Sequence, residues 1–335
     1  MTKIVCFGEL LLRLTAPGRE LLLQSGRLDV QFGGAEANVA VGLACLGHGA
    51  AMVSRVVDNP LGDAAIGYLR RYGVDTDGVR RDAGRMGLYF LSAGAGLRPS
   101  EIVYDREGSS FALADKDDFD WTRLLEGADL LHLSGITPAL GPSSAEVALA
   151  AADAARARGV RVSFDGNYRA QLWQRWDSDP KAILGELVAK ADILFGNHRD
   201  ISLLLGRKFT GEGNQRRREA AEAALGAFPN LQLIASTARR IDDCDRHRLS
   251  ARIDTREREV QADEVQLSGI VDRIGAGDAF AAGVLHGVLA GENDERAVRY
   301  GLALACLKHS LPGDASLFGQ ADIEAFLAGE LDVRR

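Results

Sequence analysis

The sequence predicts a three-layer α/β protein built around one mostly parallel β-sheet. Along most of its 335 residues, short apolar segments typical of buried strands alternate with segments of helical periodicity. Because a helix separates each strand from the next, we expect the strands to pair in parallel through right-handed crossovers. Two stretches, at about 10–32 and 84–107, instead alternate like exposed strands and predict a second, small sheet. The whole chain, 1–335, is interpreted as a single domain.

Glycine and proline mark the element boundaries in the first part of the chain. The pair Gly33-Gly34 opens a helical pattern that Gly47 ends, and Pro60 occupies a first-turn position that proline favours. The expected elements are a strand at 4–7, a helix at 35–46, a strand at 50–57 and a helix at 60–72.

Strand and helix patterns alternate again after Asp129. The expected strands are at 130–133, 160–164, 193–195 and 233–236, and the expected helices are at 143–158, 180–190, 198–205 and 216–227. From Ala276 the chain is nearly all helical, with helices expected at 276–290, 294–309 and 320–329.

Composition and charge restrict the class of partner. Hydrophobic residues make up 46% of the chain, which is enough for a sizeable core, and the formal net charge is −7. We do not expect so acidic a chain to bind nucleic acid or an anionic membrane. No apolar run is long enough for a signal peptide or a membrane span, so we expect a cytoplasmic location.

The strongest chemical signal is the run from Gly275 to Asp278, which opens an apolar helix. Glycines let the backbone approach a ligand, and the N–H groups of a first helical turn attract anions. An aspartate beside such a pocket can accept the proton of an attacking hydroxyl in phosphoryl transfer. The alternative is a tight turn followed by an ordinary helix-start acid. Neither a P-loop nor a Rossmann glycine motif is present.

Residues 272–280 resemble the C-terminal signature of the PfkB, or ribokinase-like, carbohydrate kinases. Residues 33–47 resemble the N-terminal signature of the same family, more than two hundred residues away. The resemblance implies a ribokinase-like fold whose strands at 10–32 and 84–107 form a lid. It also implies an ATP-dependent sugar kinase that uses Mg²⁺ and forms a dimer or larger homo-oligomer.

Three further runs, at 104–112, 133–140 and 163–173, are similar to those of the 2-keto-3-deoxygluconate kinases within that family. An acidic sugar suits them, because arginines offer guanidinium groups for a carboxylate and tyrosines offer hydroxyl donors. The residues concerned are Arg106, Arg169, Tyr89 and Tyr104. The implied reaction converts ATP and 2-dehydro-3-deoxy-D-gluconate into the 6-phosphate and ADP.

The resemblance assigns roles position by position. Asp278 would deprotonate the terminal hydroxyl of the sugar, and Gly275, Ala276 and Gly277 would form an anion hole. The sugar site would contain Gly33, Gly34, Asn38, Tyr89, Tyr104, Arg106, Ile136, Asp165, Asn167 and Arg169. The donor nucleotide would contact Asn197, Thr237, Gly275 and Gly277.

Two aspartates are the metal candidates. Asp200 matches the glutamate of a family Asn-x-x-Glu run that helps to organise Mg²⁺ and phosphates, although its side chain is one methylene shorter. Asp272 is a candidate ligand for a monovalent cation such as K⁺, and the alternative is a cap before the helix.

The chain departs from the family after Leu233. Most members have a glycine-containing run there that approaches the nucleotide, whereas residues 236–243 contain no glycine. Thr237 could still reach a phosphate, and Arg239 or Arg240 could supply positive charge.

Other functions stay open from the sequence. The nearest alternative is a fructokinase or ribokinase of the same fold, whose neutral sugar would not need two arginines. A nucleoside kinase would need apolar and aromatic contacts to a base, and a non-catalytic sugar sensor would have no need of a base at Asp278. The sequence does not distinguish the gluconate from the galactonate epimer.

Overall fold

The helices and strands follow the expected order in the computed structural model, which describes residues 2–330. The strands are β1 (Lys3–Phe7), β2 (Leu11–Thr15), β3 (Asp29–Gly33), β4 (Gly49–Val57), β5 (Asp75–Asp82), β6 (Gly87–Ser92), β7 (Glu101–Asp105), β8 (Leu130–Ser134), β9 (Arg161–Asp165), β10 (Ile193–Phe195), β11 (Leu233–Asp243), β12 (Arg246–Asp254) and β13 (Glu259–Ser268). The α-helices are α1 (Ala35–Cys45), α2 (Pro60–Arg71), α3 (Trp121–Leu124), α4 (Pro142–Ala157), α5 (Ala170–Trp173), α6 (Pro180–Lys190), α7 (His198–Leu205), α8 (Gly213–Ala227), α9 (Ala276–Leu289), α10 (Asp294–Lys308) and α11 (Gln320–Ala328). Over residues 2–330, no helix combines the length and apolar character that crossing a membrane requires.

The main sheet has nine strands in the order β13-β12-β11-β10-β9-β8-β1-β4-β5. From β11 to β5 all neighbours pair in parallel. Side chains of β1 alternate between two cores: Ile4 and Cys6 pack with α1 and α9, and Val5 and Phe7 pack with α4 and α6. Helices therefore cover both faces of the sheet, and the predicted three-layer α/β fold is confirmed.

The small sheet has the order β3-β2-β6-β7. Strand β2 pairs antiparallel with β3 and parallel with β6, and β6 pairs antiparallel with β7. Leu12 anchors the sheet in the main core, where Phe32 and Leu88 pack around the same cluster. The second sheet predicted at 10–32 and 84–107 is confirmed.

Two long antiparallel strands, β12 and β13, are not expected from the sequence. Strand β11 also continues to Asp243, beyond its expected end at residue 236. The outer half of β11 and much of β13 are exposed and rich in charged residues, so they lack the apolar runs of buried strands. Edge strand β5 is missed for the same reason, since it is rich in charged residues. Charged side chains are common on edge strands because they prevent pairing with other chains.

Candidate active site

A cleft of about 930 Å³ runs along the carboxyl ends of the parallel strands and is bounded on one side by the small sheet. Open parallel sheets place their ligands at this edge. All the predicted site residues line the cleft except Gly33 and Asp272. The cleft extends from the end of β8 to β11, three strand steps in the sheet order, which at ~4.8 Å a step is roughly 14 Å, and it continues past Leu11, Tyr89 and Tyr104 of the small sheet. It is long enough to hold two substrates end to end.

The start of α9 has the geometry that an anion hole needs. Gly275 precedes the helix in the left-handed region, at φ 77°, and a side chain there would also overlap the carbonyl oxygen of Asp314. The first turn of a helix leaves backbone N–H groups without helical partners. Gly275, Ala276 and Gly277 all line the cleft at this point, so these groups are available to an anionic ligand.

Asp278 lies in the first turn of α9 and also lines the cleft. The Nδ2 of Asn38 donates a hydrogen bond to its Oδ2 at 2.7 Å. Burial raises the pKa of Asp278 to about 8, the hydrogen bond from Asn38 opposes this shift, and the charges of Asp165 and Asp314 add to it. The raised pKa makes the deprotonated carboxylate a stronger acceptor for the proton of a hydroxyl.

Glu36 fixes the start of α1, and with it Asn38. Its buried Oε1 accepts hydrogen bonds from the Ser134 hydroxyl at 2.7 Å and the Thr137 hydroxyl at 2.9 Å. These bonds join α1 to the end of β8, where Ile136 lines the cleft. The acidic residue of the N-terminal signature is therefore a positioning residue.

Arg106 is held rigidly beside the cleft. Its Nε donates to Glu9 Oε2 at 2.7 Å, its Nη2 lies 2.6 Å from the same oxygen, and its side chain is 3% exposed. The remaining nitrogen, Nη1, is buried and has no hydrogen-bond partner. An unpaired buried donor on a charged group is costly. An acidic group of a ligand would supply the missing partner.

The two tyrosines predicted as hydroxyl donors behave differently. The Tyr89 hydroxyl donates to Asp314, and its role as a donor to the substrate stays a prediction. Tyr104 packs beside it, with 6.1 Å between the ring centroids, and lines the cleft. Its hydroxyl makes no hydrogen bond to any residue of the described range 2–330. Tyr104 is the better placed donor.

The turn after β9 carries three predicted residues. The Asn167 N–H donates to Asp165 Oδ1 at 3.0 Å, and Asn167 has a left-handed φ of 36°. Arg169 is exposed, and its Nη1 reaches only the carbonyl oxygen of Tyr168 at 3.1 Å. Burial raises the pKa of Asp165 to about 7, and the charge of Asp200 contributes to the rise.

Asn197 and Asp200 cap α7 reciprocally. The Arg199 N–H donates to Asn197 Oδ1, and the Asn197 N–H donates to Asp200 Oδ2, both at 2.8 Å. This is a capping box, which the shorter aspartate completes as a glutamate would. Both residues line the cleft, so the start of α7 is ordered before any ligand binds.

Asp165 and Asp200 fit a magnesium ion that is shared with donor phosphates. Both line the cleft, and the effect of Asp200 on the pKa of Asp165 shows that their charges repel, which a cation would relieve. Within residues 2–330 no group of three or more histidine, cysteine or acidic side chains could hold a metal ion. Mg²⁺ commonly takes one or two carboxylates and completes its shell with water and phosphate oxygens.

Asp272 lies behind the anion hole and not in the cleft. Its carboxylate pairs with Arg13 at 2.6 Å and accepts hydrogen bonds from the N–H groups of Ile274 at 2.9 Å and Gly313 at 3.1 Å. These contacts support the interpretation as a cap before the helix. Its role as a ligand of K⁺ stays a prediction.

Arg13 and Asp314 are site residues that the sequence reasoning misses. Arg13 is buried on β2 and pairs with Asp314 as well as Asp272, both at 2.6 Å. Asp314 lines the cleft, and a side chain at Gly33 would overlap its carboxylate. Gly33 therefore makes room for Asp314 and does not itself line the cleft. A single charge within an apolar strand could have indicated Arg13, whereas no sequence signal marks Asp314.

The nucleotide end of the cleft contains arginines where the family has a glycine run. Thr237 and Arg239 line it from β11, but Arg240 does not. Arg199 and Arg273 line it from the start of α7 and from the loop before α9. Strand β11 continues through this point into its hairpin with β12, so no glycine turn is formed.

The sequence profile described as pfkB family carbohydrate kinase matches residues 1–318 of the chain. The chain belongs to this family. The resemblance predicted from residues 33–47 and 272–280 is thereby confirmed, and the protein is a carbohydrate kinase.

Individual relatives resemble the chain over nearly its whole length. A 2-dehydro-3-deoxygalactonokinase of Haloferax volcanii is 32% identical over 327 residues, which are 98% of this chain and 97% of that protein. A crystal structure of 2-dehydro-3-deoxygluconokinase from Thermotoga maritima has a TM-score of 0.93 at 37% identity and covers 98% of this chain and 100% of its own. An E. coli protein solved in complex with ATP and Mg²⁺ shares the fold, with a TM-score of 0.83 at 19% identity, and covers 98% and 100%.

Proposed function

We propose that this carbohydrate kinase transfers the γ-phosphate of ATP to the terminal hydroxyl of 2-dehydro-3-deoxy-D-gluconate, giving the 6-phosphate and ADP. The observation that carries the proposal is the unpaired, buried Nη1 of Arg106, which suits a substrate carboxylate. Arg169, in the turn after β9, offers a second guanidinium group to the cleft. A neutral sugar would offer no carboxylate to the free Nη1 of Arg106 or to Arg169. The Haloferax relative and the Thermotoga structure are both named for 2-dehydro-3-deoxy sugar acids.

Asp278 would act as the general base. Its carboxylate accepts the proton of the terminal hydroxyl while that oxygen bonds to the γ-phosphorus, and the bond from phosphorus to the bridging oxygen of ADP breaks. The N–H groups at the start of α9 stabilise the charge on the transferred group. Bound ATP would supply the phosphoryl group, and Mg²⁺ would neutralise its phosphates. Asn197, Asp200 and Thr237 are the residues proposed to hold them.

A screen for ADP release with sugar acids and neutral sugars tests the proposal. We expect Arg169→Gln to raise KM for the sugar acid about tenfold or more, because a charge-assisted contact is lost. Arg106→Lys keeps a positive charge beside Glu9 but has no nitrogen in the place of Nη1, so it should raise KM for the sugar acid as well. Arg175→Gln, an exposed arginine outside the cleft, is the matched control. Equal or better turnover of fructose or ribose would contradict the proposal.

The galactonate epimer is a second candidate substrate, because the Haloferax relative is named a 2-dehydro-3-deoxygalactonokinase. The two acids share the carboxylate that Arg106 would bind and differ at one hydroxyl. Measuring kcat/KM for both epimers under the same conditions decides between them.

Several further expectations stay predictions. They are a monovalent cation near Asp272, a homo-oligomer, a cytoplasmic location and the absence of nucleic-acid and membrane partners. A non-catalytic sugar sensor stays the least favoured alternative, and complete absence of ADP release with any sugar would favour it.

A further inference from the structure

Three arginines from separate parts of the chain line the nucleotide end of the cleft. Arg199 comes from the first turn of α7, Arg239 from β11 and Arg273 from the loop before α9. Arg239 belongs to the stretch 236–243, which lacks the glycine-containing run that the resemblance to the family leads us to expect. We call the three arginines the arginine triad.

The arginine triad has no acidic partner. Among residues 2–330, no carboxylate lies within ion-pair distance of Arg199, Arg239 or Arg273, and their guanidinium groups donate no hydrogen bond. By contrast, the nearby Arg252 pairs with Asp254 at 2.7 Å and Glu259 at 2.5 Å. Burial lowers the pKa of Arg239, and the positive charge of Arg273 lowers it further. Arg239 and Arg273 therefore carry unpaired charges that repel each other, and Arg199 is a third unpaired cation on the same cleft.

The surroundings add positive charge. Arg199 occupies the positive end of α7, where a cation is disfavoured. The early part of α8 brings Arg216 and Arg217 close to His198, the first residue of α7. Burial is the main reason why the pKa of His198 is lowered, and the charges of Arg216, Arg199 and Arg217 lower it further. Arg216 Nε and Arg217 Nη1 are buried without a hydrogen-bond partner. In a chain of net charge −7, three unpaired arginines that line one cleft, with two more behind the start of α7, indicate a polyanionic ligand.

We propose that the arginine triad binds the phosphate chain of the nucleotide donor and replaces the contacts of the missing glycine run. The inference rests on the proposed function, in which ATP is the donor, and it names the residues that hold it. A polyphosphate fits better than a single carboxylate because three unpaired cations line one cleft. The sugar acid, with one carboxylate, already has Arg106 beside the small sheet and Arg169 in the turn after β9.

The test compares Arg239→Gln and Arg273→Gln with Arg240→Gln. Arg240 is the next residue on β11 and lies exposed, outside the cleft. Its substitution therefore removes the same charge from nearly the same place. Inorganic triphosphate is the probe, and its Kd is measured by calorimetry on the full chain, without sugar. KM values for ATP and for the sugar acid are measured in parallel, and thermal unfolding checks that each variant is folded.

We expect Arg239→Gln and Arg273→Gln each to raise the Kd for triphosphate and the KM for ATP about tenfold or more, the loss of one charge-assisted contact. KM for the sugar acid should change less than about twofold, and Arg240→Gln should match the wild type. An unchanged Kd in both triad variants, or a rise in KM for the sugar acid alone, would overturn the inference.

The two proposals fail in different ways. If the wild-type protein phosphorylates the sugar acid but the triad variants keep full affinity for triphosphate, the proposed function stands and the inference is contradicted. If triphosphate binding depends on the triad but the wild-type protein phosphorylates no sugar acid, the inference stands and the proposed function is contradicted.

Discussion

Asp278 is the residue on which turnover should depend. Replacing it by asparagine keeps its size and removes the proton acceptor, so we expect Asp278→Asn to lower kcat by about 10²–10⁴-fold. Affinity for the sugar acid, measured by calorimetry, should persist because Arg106 and Arg169 are unchanged. Asp242→Asn, on the outer part of β11, serves as the control. A variant with near-normal kcat would exclude Asp278 as the base.

Asn38 should set the pH at which Asp278 works. With a pKa of about 8, the carboxyl of Asp278 is mostly protonated below that pH and cannot accept a proton. We therefore expect kcat/KM for the sugar acid to rise with pH up to about 8 and then level off. Asn38 donates to the charged form and lowers this pKa, so Asn38→Ala should move the rise to higher pH. A shift to lower pH would contradict this assignment.

Single residues were predictable where a local run carried the information. The glycines before Asp278 and the arginine at position 106 belong to such runs. The contact of the Tyr89 hydroxyl with Asp314 was not predictable, because Asp314 is 225 residues away in the chain. The pairing of Arg106 with Glu9 is likewise long-range, at a separation of 97 residues. Contacts made by tertiary folding leave no periodic trace in the sequence.

At the scale of elements, Arg13 joins strand β2 of the small sheet to the loop that shapes the anion hole. Removing it leaves the buried carboxylates of Asp272 and Asp314 without their cation, so we expect Arg13→Met to lower the free energy of unfolding by about 3–5 kcal/mol. The exposed pair of Arg19 with Asp245 is the control, and Arg19→Gln should cost less than about 1 kcal/mol. Denaturant titration measures both.

A second substitution keeps this prediction testable. Combining Arg13→Met with Asp314→Asn removes one of the stranded charges and should recover part of the lost stability. If Arg13→Met unfolds at the same denaturant concentration as the wild type, the buried pairs do not hold the small sheet in place.

Elements were predictable where burial imposes a pattern. Strands β8, β9 and β10 are covered by helices on both faces, and nearly all of their residues are buried. Strands β12 and β13 extend the sheet beyond that cover, and their charged side chains hide the strand pattern. The glycine-free stretch at 236–243, where the sequence departs from the family, forms the outer part of β11.

At the scale of the molecule, the outer face of the small sheet is a candidate dimer surface. Register pairs Leu14 with Val30 and Phe90, and Phe90 with Val103, so these four form one apolar row across the sheet. Val30 is 59% exposed and Val103 is 46% exposed. We expect the double variant Val30→Asp and Val103→Asp to halve the mass measured by light scattering.

The control for the dimer is Ile241→Asp, which removes an exposed apolar side chain, 55% accessible, from the hairpin of β11 and β12. Its mass should equal that of the wild type. A wild-type protein that is monomeric at concentrations on the order of 10 μM would contradict the prediction.

The overall architecture followed from the order of elements and the two signatures. That residues 1–335 form one domain stays a prediction. The sequence predicts an acidic sugar as the substrate but does not distinguish the two epimers. They differ in the configuration of one uncharged hydroxyl, which small changes in the shape of the cleft are enough to accommodate.

The continuity of the cleft from the small sheet to β11 has a kinetic consequence. Both substrates would occupy one groove together, with the phosphoryl group passing directly from one oxygen to the other. Initial rates measured against ATP at several fixed sugar concentrations should give intersecting double-reciprocal lines. The phosphorus atom should emerge with inverted configuration, as a single displacement requires. Parallel lines, or retention at phosphorus, would instead require a phosphorylated form of the protein.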